Sequence, residues 1–77
     1  MKYGIDYYNI NKETGKETDH VIIEKYNTHK EGMEEISKIR HMFSHTNEIL
    51  INSGEKVSFY MDDSLIVYQL VRLEKEG

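Results

Sequence analysis

One stretch of the chain has the capping residues and the periodicity of an amphipathic helix. Thr28 lies three residues before Glu31, the spacing of a capping box, in which each side chain accepts a hydrogen bond from the other residue's backbone N–H. The apolar side chains that follow cover an arc of roughly 120° on a helical wheel. We predict one helix that starts at Thr28 and ends near residues 44–47. Its inner face carries Met33, Ile36, Ile39 and Phe43.

The segments on both sides of this helix favour β-strands. Two runs rich in Tyr, Ile and Val precede it and three follow it, with turn-forming residues such as Gly15, Gly54 and Asp62 between them. The order ββαβββ predicts a small α+β domain, a mostly antiparallel sheet with the helix packed on one face. The predicted strands lie at residues 2–10, 18–26, 49–52, 56–61 and 65–73.

The hydrophobic core is expected to be thin. The chain has 77 residues and no cysteine, and a domain near this size buries only about 60% of its unfolded surface. These facts argue against a large enzyme with its own deep cleft, a disulfide scaffold and a cysteine zinc module. We expect a single domain over residues 1–77, with 73–77 frayed. The predicted core comprises Ile22 or Ile23, Met33, Ile36, Ile39, Phe43, Ile49, Val57, Phe59, Val67 and Val71.

Charge and hydropathy narrow the range of partners. The formal net charge of −4 disfavours nonspecific attraction to nucleic acid or to anionic membranes. The apolar runs are much shorter than the ~20 residues that span a bilayer, and the first residues lack the apolar stretch of a signal peptide. We therefore expect a cytoplasmic protein that does not bind membranes.

The amino-acid usage indicates an AT-rich genome. Phe, Tyr, Met, Ile, Asn and Lys, which have AT-rich codons, account for 34 of the 77 residues, and Ala, Pro, Cys and Trp are absent. Small acidic chains of this composition are frequent in phages and mobile elements of AT-rich hosts. This favours a phage or mobile-element origin and gives no mechanism.

Six tyrosines are the clearest candidates for a binding surface. One helix covers part of one sheet face, so the other face is polar, paired or functional. Tyr60 alternates out of phase with Phe59 and should point away from the helix, and the first strand should place at least one Tyr on each face. Tyrosine forms strands well when half-exposed, and it is also enriched in binding hot spots. The predicted partner-binding residues are Tyr8, Tyr60 and Tyr68 as anchors, with Asp62 and Asp63 as charge partners.

The acidic residues have two interpretations. They concentrate in loops and in the tail, where negative charge ordinarily serves solubility. Alternatively they form a surface that mimics nucleic acid or docks on a basic partner, since complementary charge steers association. These residues are Glu13, Glu17, Asp19, Glu55, Asp62, Asp63, Glu74 and Glu76.

The C-terminal half of the helix offers an alternative, nucleic-acid site. Its basic residues could contact phosphate, although complementation of the helix dipole explains them without a ligand. His41 and His45, spaced i,i+4, could also bind zinc, but the segment lacks the Glu of a metalloprotease motif, so we predict no metal and no cofactor. The alternative nucleic-acid residues are Lys38, Arg40, His41 and His45.

No motif in the sequence favours catalysis. There is no Cys nucleophile, no Ser in a nucleophile motif and no Gly-rich phosphate loop. The leading hypothesis is therefore a small non-enzymatic protein-binding module, an inhibitor or modulator of a host protein. The alternative is a small dimeric nucleic-acid-binding regulator, and a third hypothesis is a component whose only partner is a second copy of itself.

Overall fold

One helix packs on a five-stranded antiparallel sheet, which confirms the predicted α+β domain and its ββαβββ order. The computed structural model describes residues 2–73, with the backbone alone at residues 51 and 52. The predicted frayed residues 74–77 lie outside this range, whereas the backbone N–H of Leu73 donates to the Lys2 carbonyl at 2.8 Å. The elements are β1 Tyr3–Asn11, β2 Val21–Tyr26, α1 His29–Ser44, β3 Ile49–Asn52, β4 Lys56–Met61 and β5 Ser64–Arg72.

The strand order in the sheet is β2-β1-β5-β4-β3. β1 and β2 form the predicted hairpin, and β3, β4 and β5 form a meander. The two units are joined by β1 and β5, which pair along their whole length, from Tyr3 opposite Arg72 to Asn11 opposite Ser64. The first and last strands of the described chain therefore lie next to each other in the sheet.

The helix begins with the predicted capping box. Thr28 Oγ1 accepts from the Glu31 backbone N–H at 3.2 Å, and Glu31 Oε1 accepts from the Thr28 backbone N–H at 3.2 Å. Just after the helix, the Asn47 backbone N–H donates to the Phe43 carbonyl at 2.8 Å. The start and the end of the helix agree with the sequence prediction within its stated range.

The main core lies between α1 and the sheet. Ile36 and Ile39 of α1 are buried against Ile5 of β1 and Val57 of β4. Beside them, Phe43 stacks on the fully buried Phe59 with ring centroids 4.5 Å apart. The predicted core positions are thereby confirmed for Ile36, Ile39, Val57 and Phe59, and in partly buried form for Met33, Phe43 and Ile49.

The predicted core residue Val67 is buried, but it lies on the sheet face opposite the helix. Leu70 lies opposite Ile5 and belongs to the core beneath the helix, whereas Val67 lies opposite Tyr8 on the other face. β5 is the central strand, apolar in both phases, and Val67 is 2% exposed even on the face that α1 does not cover. Val71, in the same phase as Val67, is partly buried. Alternation could not distinguish the faces because both are apolar.

The prediction that Ile22 or Ile23 belongs to the core was wrong. Ile22 is 37% exposed and Ile23 46%, because β2 is an edge strand with an irregular register. Glu24 pairs with Ile5 and Ile22 with Asp6, so Ile23 is an extra, unpaired residue at a β-bulge. The bulge places Glu24, rather than an isoleucine, opposite the core residue Ile5.

Candidate functional site

The three predicted tyrosine anchors occupy different environments. Tyr8 lies on the face opposite the helix but is only 8% exposed, because the His20 ring stacks on it with centroids 4.0 Å apart and planes 15° apart. Tyr68 is partly buried on the helix side and packs against Tyr7, with centroids 5.0 Å apart. Tyr60 is 47% exposed. Burial leaves Tyr8 and Tyr68 little surface for a partner, and of the three predicted anchors Tyr60 alone is exposed.

The surroundings of two tyrosines shift their pKa values upward. Burial raises the pKa of Tyr68, and the neighbouring Tyr7 raises it further. Burial also raises the pKa of Tyr26 to about 12, with the nearby carboxylates of Glu35, Glu24 and Glu31 adding to the effect. Both tyrosines are partly buried and pack against the core beneath the helix.

Tyr60 and the predicted charge partners meet at one end of the sheet. β4 runs from Tyr60 through Met61, which is 41% exposed, into the two-residue turn Asp62–Asp63. Asp62 has φ 55°, the left-handed region that Asp tolerates better than most residues. Lys12 also lies at this end. Its backbone N–H donates to the Asp63 carbonyl at 2.9 Å, and its side-chain Nζ lies 4.7 Å from the Tyr60 ring centroid. We call Lys12, Tyr60, Met61, Asp62 and Asp63 the tyrosine–aspartate end.

The loop that connects β1 to β2 is held along the sheet by hydrogen bonds. Asn11 Oδ1 accepts from the backbone N–H groups of Glu13 at 2.8 Å and Thr14 at 2.9 Å. Gly15 has φ 75°, which a glycine adopts without strain. Further along, Thr18 exchanges two 2.9 Å bonds with the backbone of Asn9. The loop is thus positioned to bring its following residues over β1.

A cluster that sequence analysis missed lies where this loop returns. His20 Nδ1 is 2.7 Å from Asp6 Oδ2, and His20 Nε2 is 2.9 Å from Glu17 Oε1. Ionised carboxylates only accept hydrogen bonds, so the imidazolium, which has two N–H donors, satisfies both contacts. The other Asp6 oxygen, Oδ1, is buried and accepts no bond from the described residues. No local pattern could reveal the cluster, because fourteen residues separate Asp6 from His20.

The His20 cluster, which consists of Asp6, Glu17 and His20, holds the end of the β1–β2 loop over Tyr8. The hydrogen bonds to Glu17 and then to Asp6 raise the pKa of His20. Burial raises the pKa of Tyr8, and the charges of Glu17 and Asp6 raise it further. When His20 is protonated, its imidazolium lies between the carboxylates of Asp6 and Glu17 and stacks on the Tyr8 ring.

We expect the contribution of His20 to stability to depend on pH. Because its pKa is raised in the folded protein above the model value of 6.5, the stabilisation is fully present below pH 6.5 and is lost as pH rises through the folded-state pKa. The melting temperature of His20→Gln should fall furthest below that of the unsubstituted protein in the acidic part of this range, and the difference should shrink at higher pH. His45→Gln, at an exposed position on the helix end, is the control. A difference in melting temperature that stays constant across pH would contradict a stabilising role of protonated His20.

The basic residues of the helix separate into two groups. Lys38, His41 and His45 are exposed, and the two imidazoles are in edge contact with centroids 5.1 Å apart. Arg40 is partly buried, and its guanidinium donates to the Ser53 carbonyl at 2.5 Å. Arg40 thus holds the β3–β4 turn and is less available for phosphate than the other three.

Among residues 2–73 the predicted acidic residues do not form one patch, and Glu74 and Glu76 lie outside the described range. Glu55 lies in the turn before β4, at the opposite end of that strand from Asp62 and Asp63, and its carboxylate contacts His29 Nε2 at 2.5 Å. Within residues 2–73, no three His, Cys, Asp or Glu side chains are arranged to hold a metal ion. No helix of the described chain has the length and apolar character needed to cross a membrane.

No protein-family model, no curated protein and no solved structure matches this chain.

Proposed function

We propose that this chain is a small non-enzymatic protein-binding module that contacts its partner through the tyrosine–aspartate end. The observation that carries the proposal is the position of Tyr60, which is 47% exposed and lies two residues before the acidic turn. A half-exposed tyrosine supplies a large apolar contact area with a polar tip, which is the usual character of a hot-spot residue.

The charges around Tyr60 favour a partner that is basic at the contact. Asp62 and Asp63 are both exposed, and the whole chain carries a net charge of −4. Complementary charge of this kind raises the rate of association and selects among partners. The Lys12 ammonium, 4.7 Å from the ring centroid, indicates that the face of Tyr60 can also receive a cation. A lysine or arginine of the partner could occupy a similar position.

In its specific form, the proposal is that the module inhibits or modulates a host protein in the host cytoplasm and is encoded by a phage or mobile element. The support for this form is compositional: small size, acidic charge and the excess of residues with AT-rich codons. The proposal requires no cofactor.

The experiment is a tagged pull-down from the lysate of an AT-rich bacterial host, treated with nuclease. We expect one protein to be captured in stoichiometric amount. Tyr60→Ala should reduce the affinity of this chain for the captured protein roughly 30-fold. The paired substitution Asp62→Asn and Asp63→Asn should reduce that affinity also. Asn tolerates the left-handed backbone at position 62, so these changes should leave the melting temperature nearly unaltered.

The matched control is Met42→Ala, which truncates another exposed side chain, 60% exposed on the helix. It should leave binding unchanged. Binding that survives both sets of substitutions at the tyrosine–aspartate end would overturn the proposal. A large fall in the melting temperature of Tyr60→Ala would show that this ring supports the fold instead.

The second candidate is a nucleic-acid-binding regulator that uses the exposed helix face of Lys38, His41 and His45. The observation in its favour is that these three side chains are exposed and spaced to share one face. Phosphate contacts make affinity fall steeply with salt. Capture that disappears with nuclease, together with salt-sensitive retardation of a nucleic acid, would favour this function over the first.

A further inference from the structure

Two histidines lie side by side on the exposed face of α1, at its C-terminal end. His41 and His45 are both exposed, and their rings are in edge contact with centroids 5.1 Å apart. His45 is the C-cap residue, yet its backbone remains right-handed helical, with φ −76° and ψ −24°. The helical spacing therefore continues to His45, and the two side chains project from one face of the helix, one turn apart.

The ring nitrogens of this pair have no carboxylate against them in the described chain. The other two histidines, His20 and His29, have ring nitrogens in contact with carboxylates. Within residues 2–73, the ring nitrogens of His41 and His45 make no hydrogen bond to another residue, and their contact is with each other's rings. A neutral imidazole keeps one nitrogen lone pair, which is the form that a metal ion binds. Both lone pairs are therefore accessible to an ion from solvent.

The separation of the two rings suits chelation of one metal ion. A metal–nitrogen bond of about 2.0–2.1 Å places the ion roughly 3.2 Å from the centroid of each imidazole. Two imidazoles that meet at one ion at roughly 90–110°, as in tetragonal or tetrahedral coordination, have centroids about 4.5–5.2 Å apart. The observed distance of 5.1 Å lies in this range. Because both rings are exposed, each is free to turn about its Cβ–Cγ bond and direct a nitrogen at the ion.

The electrostatics at this end of the helix favour a cation. The aligned peptide dipoles of α1 place partial negative charge at its C-terminus, and the whole chain carries a net charge of −4. Lys38, three residues before His41, has the opposite effect. Its side chain is exposed, so solvent and salt screen its repulsion of an incoming ion.

We propose that His41 and His45 together chelate one divalent ion of a late first-row transition metal, with water molecules as the remaining ligands. Imidazole nitrogens suit copper, nickel and zinc, and affinity should be highest for copper(II). The missing Glu of a metalloprotease motif, which led us to predict no metal, is not required by a two-histidine chelate. Because no third protein ligand is arranged beside the pair within residues 2–73, the ion remains open to water and exchangeable.

Chelation should stabilise the folded chain. A helical backbone is what places residues four apart on one face, so the unfolded chain does not present the pair. Ile39 and Phe43, in the same turns, pack in the core or against it, which holds this part of α1 on the sheet. An ion that binds the folded state alone should raise the melting temperature as its concentration increases.

The test is isothermal titration calorimetry of the full chain, without a histidine tag, with copper(II), nickel(II) and zinc(II) chlorides. We expect one ion per chain, with copper(II) bound most tightly. His41→Ala and His45→Ala should each weaken copper(II) binding at least roughly tenfold, because a single imidazole remains. Both positions are exposed, so the variants should fold.

The matched control keeps both imidazoles and changes only their spacing. His45→Thr combined with Thr46→His exchanges two neighbouring exposed residues. The amino-acid composition is then unchanged, but the two imidazoles no longer share a face of the helix. This exchanged variant should bind copper(II) as weakly as His45→Ala. His20→Gln and His29→Gln should retain the full affinity.

A second measurement locates the ion. Copper(II) is paramagnetic and broadens nearby amide signals in heteronuclear NMR spectra, and the broadening should centre on residues 41–45. Broadening centred elsewhere, full affinity in the exchanged variant, or no binding at all overturns the proposal. Nickel(II) should raise the melting temperature of the unsubstituted chain more than that of the exchanged variant, and equal increases also overturn it. Tyr60→Ala should leave metal binding unchanged, so this result is separable from the outcome for the proposed function.

Discussion

Replacing Phe59 with alanine should lower the free energy of unfolding by about 3–5 kcal/mol. Phe59 is fully buried, and its ring stacks on Phe43 at a centroid distance of 4.5 Å. The truncation removes this contact and leaves a cavity that the surrounding side chains fill only in part. Typical domains have only about 5–15 kcal/mol of total stability, so the loss is a large share. Urea denaturation monitored by circular dichroism gives the value.

Tyr60→Ala is the matched control, because it removes the next aromatic ring along the same strand from the opposite face. It should cost about 1 kcal/mol or less, because Tyr60 is 47% exposed and its ring contact described above is with the flexible Lys12 side chain. If Phe59→Ala fails to fold, Phe59→Leu retains part of the volume and should give a smaller, measurable loss. Equal losses at positions 59 and 60 would contradict the assignment of the two faces.

Replacing Gly32 with valine should lower the free energy of unfolding by about 3 kcal/mol. A Cβ at Gly32 would lie 2.3 Å from Leu70 Cδ1 and 3.1 Å from Leu70 Cδ2. Both branches of the leucine are in the way, and Leu70 is itself buried in the core at 6% exposure. The substitution therefore forces either the buried Leu70 side chain out of its position or α1 away from β5, even though glycine is ordinarily a poor residue within a helix.

Ser37→Val is the control at an exposed position of the same helix and should change stability by about 0.5 kcal/mol or less. Shortening the opposing side chain provides a rescue. Gly32→Val combined with Leu70→Ala should cost less than the sum of the two single losses, because the contact that couples them is relieved. Strictly additive losses in urea denaturation would show that the helix does not approach β5 this closely.

Local patterns were sufficient to predict the elements of this fold. The capping box indicated the start of α1, a short apolar run before the Ser53–Gly54 turn located β3, and alternating residues located β4, both strands at the bounds found in the structure. The face of Tyr60 followed from its phase relative to Phe59. These predictions succeeded because they depend on residues that are close in the chain.

The errors arose where distant segments meet. The central position of β5 buries both of its faces, so its phase could not be deduced from alternation. The bulge at Ile23 exchanged an isoleucine for Glu24 opposite Ile5, and only the pairing with β1 shows it. Tyr8 is covered by His20, twelve residues further along, through a loop whose path no local rule predicts.

The pairing of β1 with β5 determines when this protein can fold. The hairpin and the meander each form from residues that are close in sequence, but the sheet becomes continuous only when β5 reaches β1, across more than fifty intervening residues at its nearest pair, Asn11 and Ser64. Closing so long a loop has an entropic cost before any contact rewards it. During synthesis on the ribosome, the edge of β1 that pairs with β5 therefore stays unpaired until nearly the whole described chain has emerged.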